Sequence, residues 1–520
     1  MMNHPTVKKA KNKILEIVFS RTALVLLLIL LQLGAMFVLS TILRDYAVYV
    51  YSLELIAQIL IVVYIINDKT CPEFTCTWML LILIFPVFGC LFYVYVKLEL
   101  GTRMFGKRLC DVQMETWPYL KQQKEIVEEL QVSKPANANL ARYMANQLHY
   151  PTYRNTKAMY FSCGEEKFPE LLKQLKMAQK YIFLEYFIVA EGYMWESILE
   201  ILKQKVAEGV EVRFMYDGMC SISLLPYKYP EEIQRYGIKC KMFSPIRPVL
   251  STVQNNRDHR KICVIDGKVG FTGGINLADE YINKKERFGY WKDTAVMLQG
   301  DAVQSLTMMF LQMWNATELL PEKYESYLTD MSTELKRELG FVIPYADSPY
   351  DHENVGEEVY CHILNHAKKY VHIMTPYLIL DREMLNALCR AAKSGIDVKI
   401  IMPHIPDKWY AFAVAKTYYE ELIEAGVKIY EFTPGFVHAK IFVSDDDTAT
   451  VGTINLDYRS LFLHFECGTF IYNNPIVHDV EADFQKTLTQ CERVSVADVK
   501  KISPFMFICG RVLRLIAPLM

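Results

Sequence analysis

HRKICVIDGKVGFTGGIN, residues 259 to 276, and HAKIFVSDDDTATVGTIN, residues 438 to 455, share one spacing, H-x-K-x4-D-x6-G-x2-N. It places His259, Lys261, Asp266, Gly273 and Asn276 in the first stretch and His438, Lys440, Asp445, Gly452 and Asn455 in the second. With five fixed positions, a single chance match in a chain of this length is on the order of one in ten thousand, and two are far rarer. The residues between are strand-like, and residues two apart on a strand project from one face, so each His points with its Lys. Each Asp, five positions further on, faces the other way. Asp266 with Gly267 also reads as a hairpin turn. Asp266 and Asp445 therefore belong to the catalytic signature as pattern, with a structural role in ordering the turn or a buried polar contact. Asn276 and Asn455 follow the next short strand, which the hairpin carries back toward the His and Lys.

Outward from these stretches, the chain repeats itself in one order. Ala178 to Tyr181 (AQKY) returns as Ala367 to Tyr370 (AKKY), Gly209 to Phe214 (GVEVRF) as Gly395 to Ile400 (GIDVKI), and Gly237 to Pro245 (GIKCKMFSP) as Gly426 to Pro434 (GVKIYEFTP). Helix-like segments alternating with Val/Ile-rich strands argue for an α/β fold, and duplication predicts two similar sheets sharing one site. Pro245 to His259 is 14 positions where Pro434 to His438 is 4, so the excess, within Ile246 to Asp258, is expected to be a loop at the site entrance. The expected division is a basic arm at 1–21, a membrane region at 22–96 with two or three apolar helices, a connector at 97–157, one α/β domain at 158–316, a linker at 317–354, a second α/β domain at 355–498 and a C-terminal interfacial helix at 499–520.

The constellation suits phosphodiester chemistry. An imidazole can attack phosphorus and be displaced again, while Lys and Asn donors, here Asn276 and Asn455 beside the lysines, bind the phosphate oxygens on which charge accumulates. A second imidazole can protonate the departing alkoxide and deprotonate the incoming alcohol. Each His needs a carboxylate behind its other nitrogen to hold one tautomer, and Asp293 and Glu466 lie at comparable places after Asn276 and Asn455. Asp217 and Glu185, near strand ends, are further acids with either a supporting or a purely structural use. His362 and His366 stand at i and i+4, yet lack the carboxylate pattern of a helical metal site and read as ordinary helix residues. Trp195, Trp291 and Trp314 read as core aromatics.

The 520 residues carry a formal net charge of -2, which disfavours a generic polyanion binder, and 52% hydrophobic content exceeds that of an ordinary soluble chain. The excess sits in the first hundred residues. Thr22 to Leu43 is free of charge and would rise about 33 Å as a helix, enough for the ~30 Å of bilayer hydrocarbon. Tyr46 to Ile66 is a second apolar stretch, with Glu54 and Gln58 on one face that should meet other helices. Thr77 to Val96 is a third, kinked at Pro86 and Gly89 or re-entrant. Three full spans would put the basic stretches Lys8 to Arg21 and Lys97 to Arg108 on opposite sides, although both look cytoplasmic. Thirteen Cys at irregular spacing form neither a zinc site nor a disulfide framework. Ser503-Pro504 reads as a helix start, and Arg511 and Arg514 share a face of the apolar segment that follows, an interfacial anchor or a helix packed into the domain.

These paired motifs resemble the HKD motifs of the phospholipase D superfamily. The chain is more closely similar to its bacterial cardiolipin synthases, through the membrane-spanning N-terminus, NNRDHRKICVIDG (255–267), GGINLADEY (273–281), WKDTAVMLQG (291–300), NLDYRSLFLHFE (455–466) and RLIAPLM (514–520). The resemblance implies two tandem α/β/α domains forming one pseudo-twofold catalytic unit behind N-terminal transmembrane helices. It implies metal-independent, cofactor-free transfer through a phosphatidyl-histidine, with two phosphatidylglycerols giving cardiolipin and glycerol. By that analogy His259 is the nucleophile and His438 the acid/base, an assignment that could be exchanged. Ala439 stands where a Ser is common, Thr453 where the family often has Ser, and His464 where it often has Asn. The implied partners are phosphatidylglycerol and cardiolipin in the bilayer, with no nucleic acid and self-association left open. The implied setting is the bacterial cell membrane, multi-pass, with the catalytic unit on the cytoplasmic side. Hydrolysis, or transfer to another alcohol, uses the same phosphorus chemistry, and a nuclease or a noncatalytic membrane scaffold are the readings furthest from it.

Overall fold

The computed structural model describes residues 44–68, 71–97, 100–246, 255–318, 322–329, 338–351 and 353–519, with a few isolated positions besides. The expected arm at 1–21, nearly all of the span Thr22 to Leu43 and the middle of the Ile246 to Asp258 loop lie outside these residues.

The first copy supplies strands β1 (Thr156–Phe161), β2 (Tyr181–Tyr186), β3 (Glu211–Asp217), β4 (Lys239–Phe243), β5 (Lys261–Ile265), β6 (Val269–Gly273), β7 (Tyr290–Lys292) and β8 (Ala295–Gly300). The second supplies β9 (Phe341–Asp347), β10 (Tyr370–Met374), β11 (Asp397–Pro403), β12 (Lys428–Phe432), β13 (Gly435–Val437), β14 (Ile441–Ser444), β15 (Thr448–Gly452), β16 (Glu466–Tyr472) and β17 (Cys491–Arg493). Seven strands of the first copy form a sheet in the order β1-β8-β6-β5-β2-β3-β4, and the second sheet runs β17-β12-β11-β10-β14-β15-β16-β9. Read in reverse and without β17, the second order is the first one repeated. β2, β3 and β4 pair in parallel, as do β10, β11 and β12. Such pairing needs crossovers, supplied by helices such as Tyr193–Ala207 and Arg382–Lys393. The latter starts where the Asp381 carboxylate caps the N–H groups of Glu383 and Met384.

β2 and β5 sit centrally in their sheet, and every residue of YIFLEY and KICVI is buried, as expected for strands covered on both faces. Helix Val303–Asn315 is buried along its length and packs on β2, β5 and β6 and on β9 of the other copy. This helix thus packs against strands of both copies. β5 and β6 are joined by a tight turn with Asp266 at φ +55° and Gly267 at φ +66°, and β14 and β15 by Asp445 at φ +55° and Asp446 at φ +61°. Two consecutive positive φ values make the hairpin turn expected at Asp266-Gly267, and the second copy repeats it at Asp445-Asp446.

The N-terminal region is a separate unit. Its helix Ala47–Ile66 contains a 19-residue stretch, Val48–Ile66, long and apolar enough to cross a bilayer. The expected third span, Thr77 to Val96, is not one helix. It is divided into Pro72–Ile84 and Pro86–Lys97, each about 20 Å long at 1.5 Å per residue and too short to span alone. The break falls at Pro86, which has no N–H for the Ile82 carbonyl four residues back. Gln58 supplies one instead, its Nε2 donating to Ile82 O at 3.3 Å. The two short helices approach so closely that a Cβ on Gly89 would lie 2.8 Å from Ile82 Cα, and Lys97 at the end of the second pairs with Asp68 just after the long helix. The hairpin therefore returns to the end of the long helix from which it started.

Candidate active site

β5 and β14 carry the two motifs into the site, and each is stitched to the opposite copy. The segment before β5 bridges Asp258 to Phe465, where the His259 N–H donates to Phe465 O at 2.9 Å. β13, just before His438, pairs in parallel with β7, and the His438 N–H donates to Lys292 O at 2.6 Å. The residue after each of those two carbonyls is a carboxylate. His259 Nδ1 meets Glu466 Oε1 at 2.8 Å, and His438 Nδ1 meets Asp293 Oδ2 at 2.6 Å. The predicted carboxylates are thus both present but crossed, each copy orienting the other copy's imidazole. With Nδ1–H donated, Nε2 keeps its lone pair.

Lys261 and Lys440 are buried beside these imidazoles, each ammonium donating to the carbonyl of the His two residues earlier. Burial pushes Lys261 down to about 8 and Lys440 to about 7, the nearby carboxylates opposing the fall. Burial and the neighbouring Lys261 also push His259 well below the ordinary histidine value, and burial with Lys440 brings His438 down to about 4 while Asp293 pulls it upward. The two carboxylates part company. Burial alone would raise both, and Glu466 ends well above the usual carboxylate range, whereas His438 and Lys440 hold Asp293 below it.

Asn276 accepts the Ile188 N–H at 2.9 Å and donates to Tyr281 Oη at 2.8 Å, and Asn455 donates to Ser460 Oγ at 3.0 Å. An amide nitrogen carries two protons, so each Asn retains one for a bound oxygen. Asp266 and Asp445 are not brought to the imidazoles. They lie about 20 Å away at the far ends of β5 and β14. There Asp266 accepts the N–H groups of Gln179, Lys180 and Tyr181 at 2.7 to 2.9 Å, and Asp445 those of Lys368, Lys369 and Tyr370 at 2.6 to 3.1 Å. Part of the catalytic signature as pattern, they are anchors that tie each hairpin to the start of the adjacent strand. Asp217 and Glu185 brace the segment that presents His259. Asp217 accepts the Asp258 N–H at 3.0 Å, and Glu185 pairs with Arg260 at 2.5 Å. His362 bonds Asn137 at 2.9 Å.

Residue type alone did not mark four other groups. Trp291 and Tyr281 put their ring centroids 5.4 and 5.6 Å from that of His438, and Phe187 stands edge-on to His259 at 4.7 Å. Thr453 Oγ1 donates to Glu466. Their signals were faint: Trp291 two residues before Asp293, and Thr453 inside the second motif. His464 places its ring 5.6 Å from His259, and His259, His464 and Glu466 offer donor atoms all within 4.8 Å of one another. A surface cavity of about 570 Å³ lined by Arg213, Lys241 and Trp314 contains no motif residue and lies outside this chemistry.

The family described as "Cardiolipin synthase, PLD-like domain" matches residues 171–314 and 360–488. A cardiolipin synthase of Halalkalibacterium halodurans is 34% identical over 472 residues, covering 89% of this chain and 92% of that protein. Cardiolipin synthase 2 of Bacillus anthracis is 37% identical over 460 residues, covering 86% of this chain and 87% of that one. Among solved structures, a phosphatidylserine synthase of Haemophilus influenzae superposes with a TM-score of 0.54 at 15% identity, over 73% of this chain and 97% of that one, a likeness of fold.

Proposed function

Since the chain belongs to the phospholipase D-like family of cardiolipin synthases, we propose that it is a membrane phosphatidyltransferase that joins two phosphatidylglycerols into cardiolipin with release of glycerol. The observation that carries this reading is the crossed pairing, in which each copy orients the other's imidazole and the two imidazoles and two buried ammonium groups stand within electrostatic reach of one another. His259 Nε2 attacks the phosphorus of the first phosphatidylglycerol, and the P–O bond to glycerol breaks. His438 gives that oxygen its proton, leaving a phosphatidyl group on His259. The second phosphatidylglycerol then offers its headgroup hydroxyl; His438 takes the proton, the new P–O bond forms, and the P–N bond to His259 breaks. Lys261, Lys440, Asn276 and Asn455 bind the phosphate oxygens throughout. The asymmetry of the carboxylates supports this division of labour. Ionised Asp293 favours a proton on His438, while His259, ringed by cations, stays neutral and nucleophilic. A phosphodiester anion among the four basic groups raises the proton affinity of His438 when it is needed as an acid.

In the membrane, a re-entrant 72–97 hairpin removes the conflict over sidedness. Two spans followed by a hairpin leave Lys8 to Arg21 and Lys97 to Arg103 on one side, the cytoplasmic one by charge. The helix at the C-terminus lies in the interface.

The exchange of one phosphodiester for another involves no large fall in free energy, so purified enzyme given cardiolipin and excess labelled glycerol should form labelled phosphatidylglycerol. Phosphatidic acid as the sole product, with no label in phosphatidylglycerol, would identify a hydrolase.

A further inference from the structure

His464 is 9% exposed, and neither of its ring nitrogens has a hydrogen-bond partner or contact with solvent. An imidazole sealed in this way is unusual enough to require an explanation. Its ring follows the short helical turn Arg459–Leu463. One nitrogen, Nδ1, lies 3.8 Å from Glu466 Oε1, and Glu466 lies 2.8 Å from His259 Nδ1. Two imidazoles and one carboxylate thus converge with all donor atoms within 4.8 Å, one of them satisfied by nothing in the protein. A tetrahedral zinc with bonds of about 2.0 to 2.1 Å needs donors about 3.3 Å apart, so the three side chains would have to close around it from their present separations. Two His and one Glu are a known protein ligand set for such an ion. An Asn in place of His464 would lack the second imidazole.

We propose that His259, His464 and Glu466 form a binding site for one zinc-type transition-metal cation, and that its occupation switches transfer off. The inhibition follows from the proton on His259. At rest that ring carries its proton on Nδ1, facing Glu466. A metal ion at Nδ1 displaces this proton, which moves to Nε2, so no proton is lost from the neutral ring but the lone pair that attacks phosphorus is covered. The ion also takes the Glu466 oxygens that orient the ring, releasing to solvent any proton that the buried carboxyl carries. The consequence for turnover rests on the proposed transfer reaction; the metal binding does not.

The test uses the full-length enzyme in detergent, stripped with chelator and titrated with zinc against a chromophoric competitor, and separately with cobalt, whose visible absorption reports four-coordinate nitrogen and oxygen ligation. The expected result is one tight equivalent per chain, loss of transfer over the same concentration range, and protection of His259 from carbethoxylation by the bound metal. His464→Asn should weaken zinc binding by about 100-fold and lose the cobalt spectrum, with its remaining transfer insensitive to zinc at the concentration that silences the parent. His366→Ala, which removes the other adjacent His pair, should change neither. Absence of a tight equivalent in the parent, or undiminished binding by a His464→Asn protein with an unaltered melting curve, would overturn the site. If His464→Asn does not fold, failure of zinc to protect His259 in the parent overturns it as well. Metal binding as described in a protein with no transfer under any condition would instead refute the proposed function and leave the site standing.

Discussion

The two halves share a strand order, yet they hold their partner's histidine in different ways. In the first half the short carboxylate Asp293 reaches His438 past Gly274, where a Cβ would lie 2.0 Å from Asp293 Oδ1. In the second, the position equivalent to Gly274 is Thr453, and its hydroxyl donates to the longer Glu466 that orients His259. One methylene more on the acid goes with a side chain at the facing position, and one fewer with none. Symmetry of backbone has been kept while symmetry of charge has been broken, since Asp293 is held ionised by its neighbours and Glu466 is pushed upward by burial. A duplicated site in which the two imidazoles must do different work needs such a break, and it lies behind the histidines, not in them.

The largest effects should come from the imidazoles and ammonium groups themselves. His259→Ala, His438→Ala, Lys261→Ala and Lys440→Ala should each lower the rate of transfer by roughly 10³-fold or more in folded protein, measured as cardiolipin formed per enzyme. The halves should separate when the leaving group needs no proton. With a p-nitrophenyl phosphodiester lipid, His438→Ala should still trap a lipid on His259 that survives denaturation at neutral or alkaline pH, and His259→Ala should trap none. The opposite result would exchange the two roles.

Next comes the facing position. Gly274→Thr should displace Asp293 and cost about 10 to 100-fold in rate, whereas Thr453→Gly, which removes one hydrogen bond from Glu466, should cost about 10-fold or less. Equal losses would show that the two carboxylates are interchangeable. This contrast marks how far the sequence was legible. The α/β repeat, the His and Lys pairs and the two acids could be read because each recurs at a fixed spacing. That Glu466 serves His259 and Asp293 serves His438 could not, because the pairing is made by contacts between copies, Asp258 to Phe465 and β7 to β13, that no local spacing records. The split of the third apolar stretch at Pro86 was half visible: the residue was a known kink point, but only its packing with Gly89 and Gln58 makes the kink a reversal.

The charge asymmetry can be checked through pH. His438 is neutral in the fold down to about 4, below its ordinary 6.5, so an unfolded chain binds a proton between those values that the folded one does not. Stability from this group is complete above about 6.5 and falls as pH drops toward 4, by about 2 kcal/mol at pH 5. Thermal melting of the parent should therefore decline more steeply from pH 7 to 5 than that of His438→Gln. Parallel curves would mean that the imidazole is not buried neutral.

A comparable contrast holds at the far ends of the motif strands. Asp266 is 8% exposed and takes three backbone N–H groups, while Asp445 takes three in a more open turn. Asp266→Asn should cost about 3 kcal/mol and Asp445→Asn about 1 kcal/mol in denaturant unfolding, with activity per folded molecule kept in both. Loss of activity without loss of stability would return these residues to the chemistry.

The smallest effect concerns a feature that the first half lacks. Helix Pro504–Arg514 docks on helix Trp409–Glu424 of the second half, with Gly510 so near that a Cβ would lie 2.4 Å from Ala413 O and the Arg514 guanidinium 3.9 Å from the Tyr418 ring. The packed-helix reading describes one face of this helix, and the face turned away from that contact leaves Phe505 74% and Ile508 61% exposed. Apolar side chains of this size gain on the order of 1.5 to 3 kcal/mol each when fully buried, and part of that is available at a lipid interface. In a chain trimmed of residues 1–100, Phe505→Ser with Ile508→Ser should therefore reduce sedimentation with phosphatidylglycerol vesicles by about 10-fold while leaving the docked face, and the melting curve, as they were. Unchanged sedimentation by the folded variant would make the helix a packing element of the second half and nothing more.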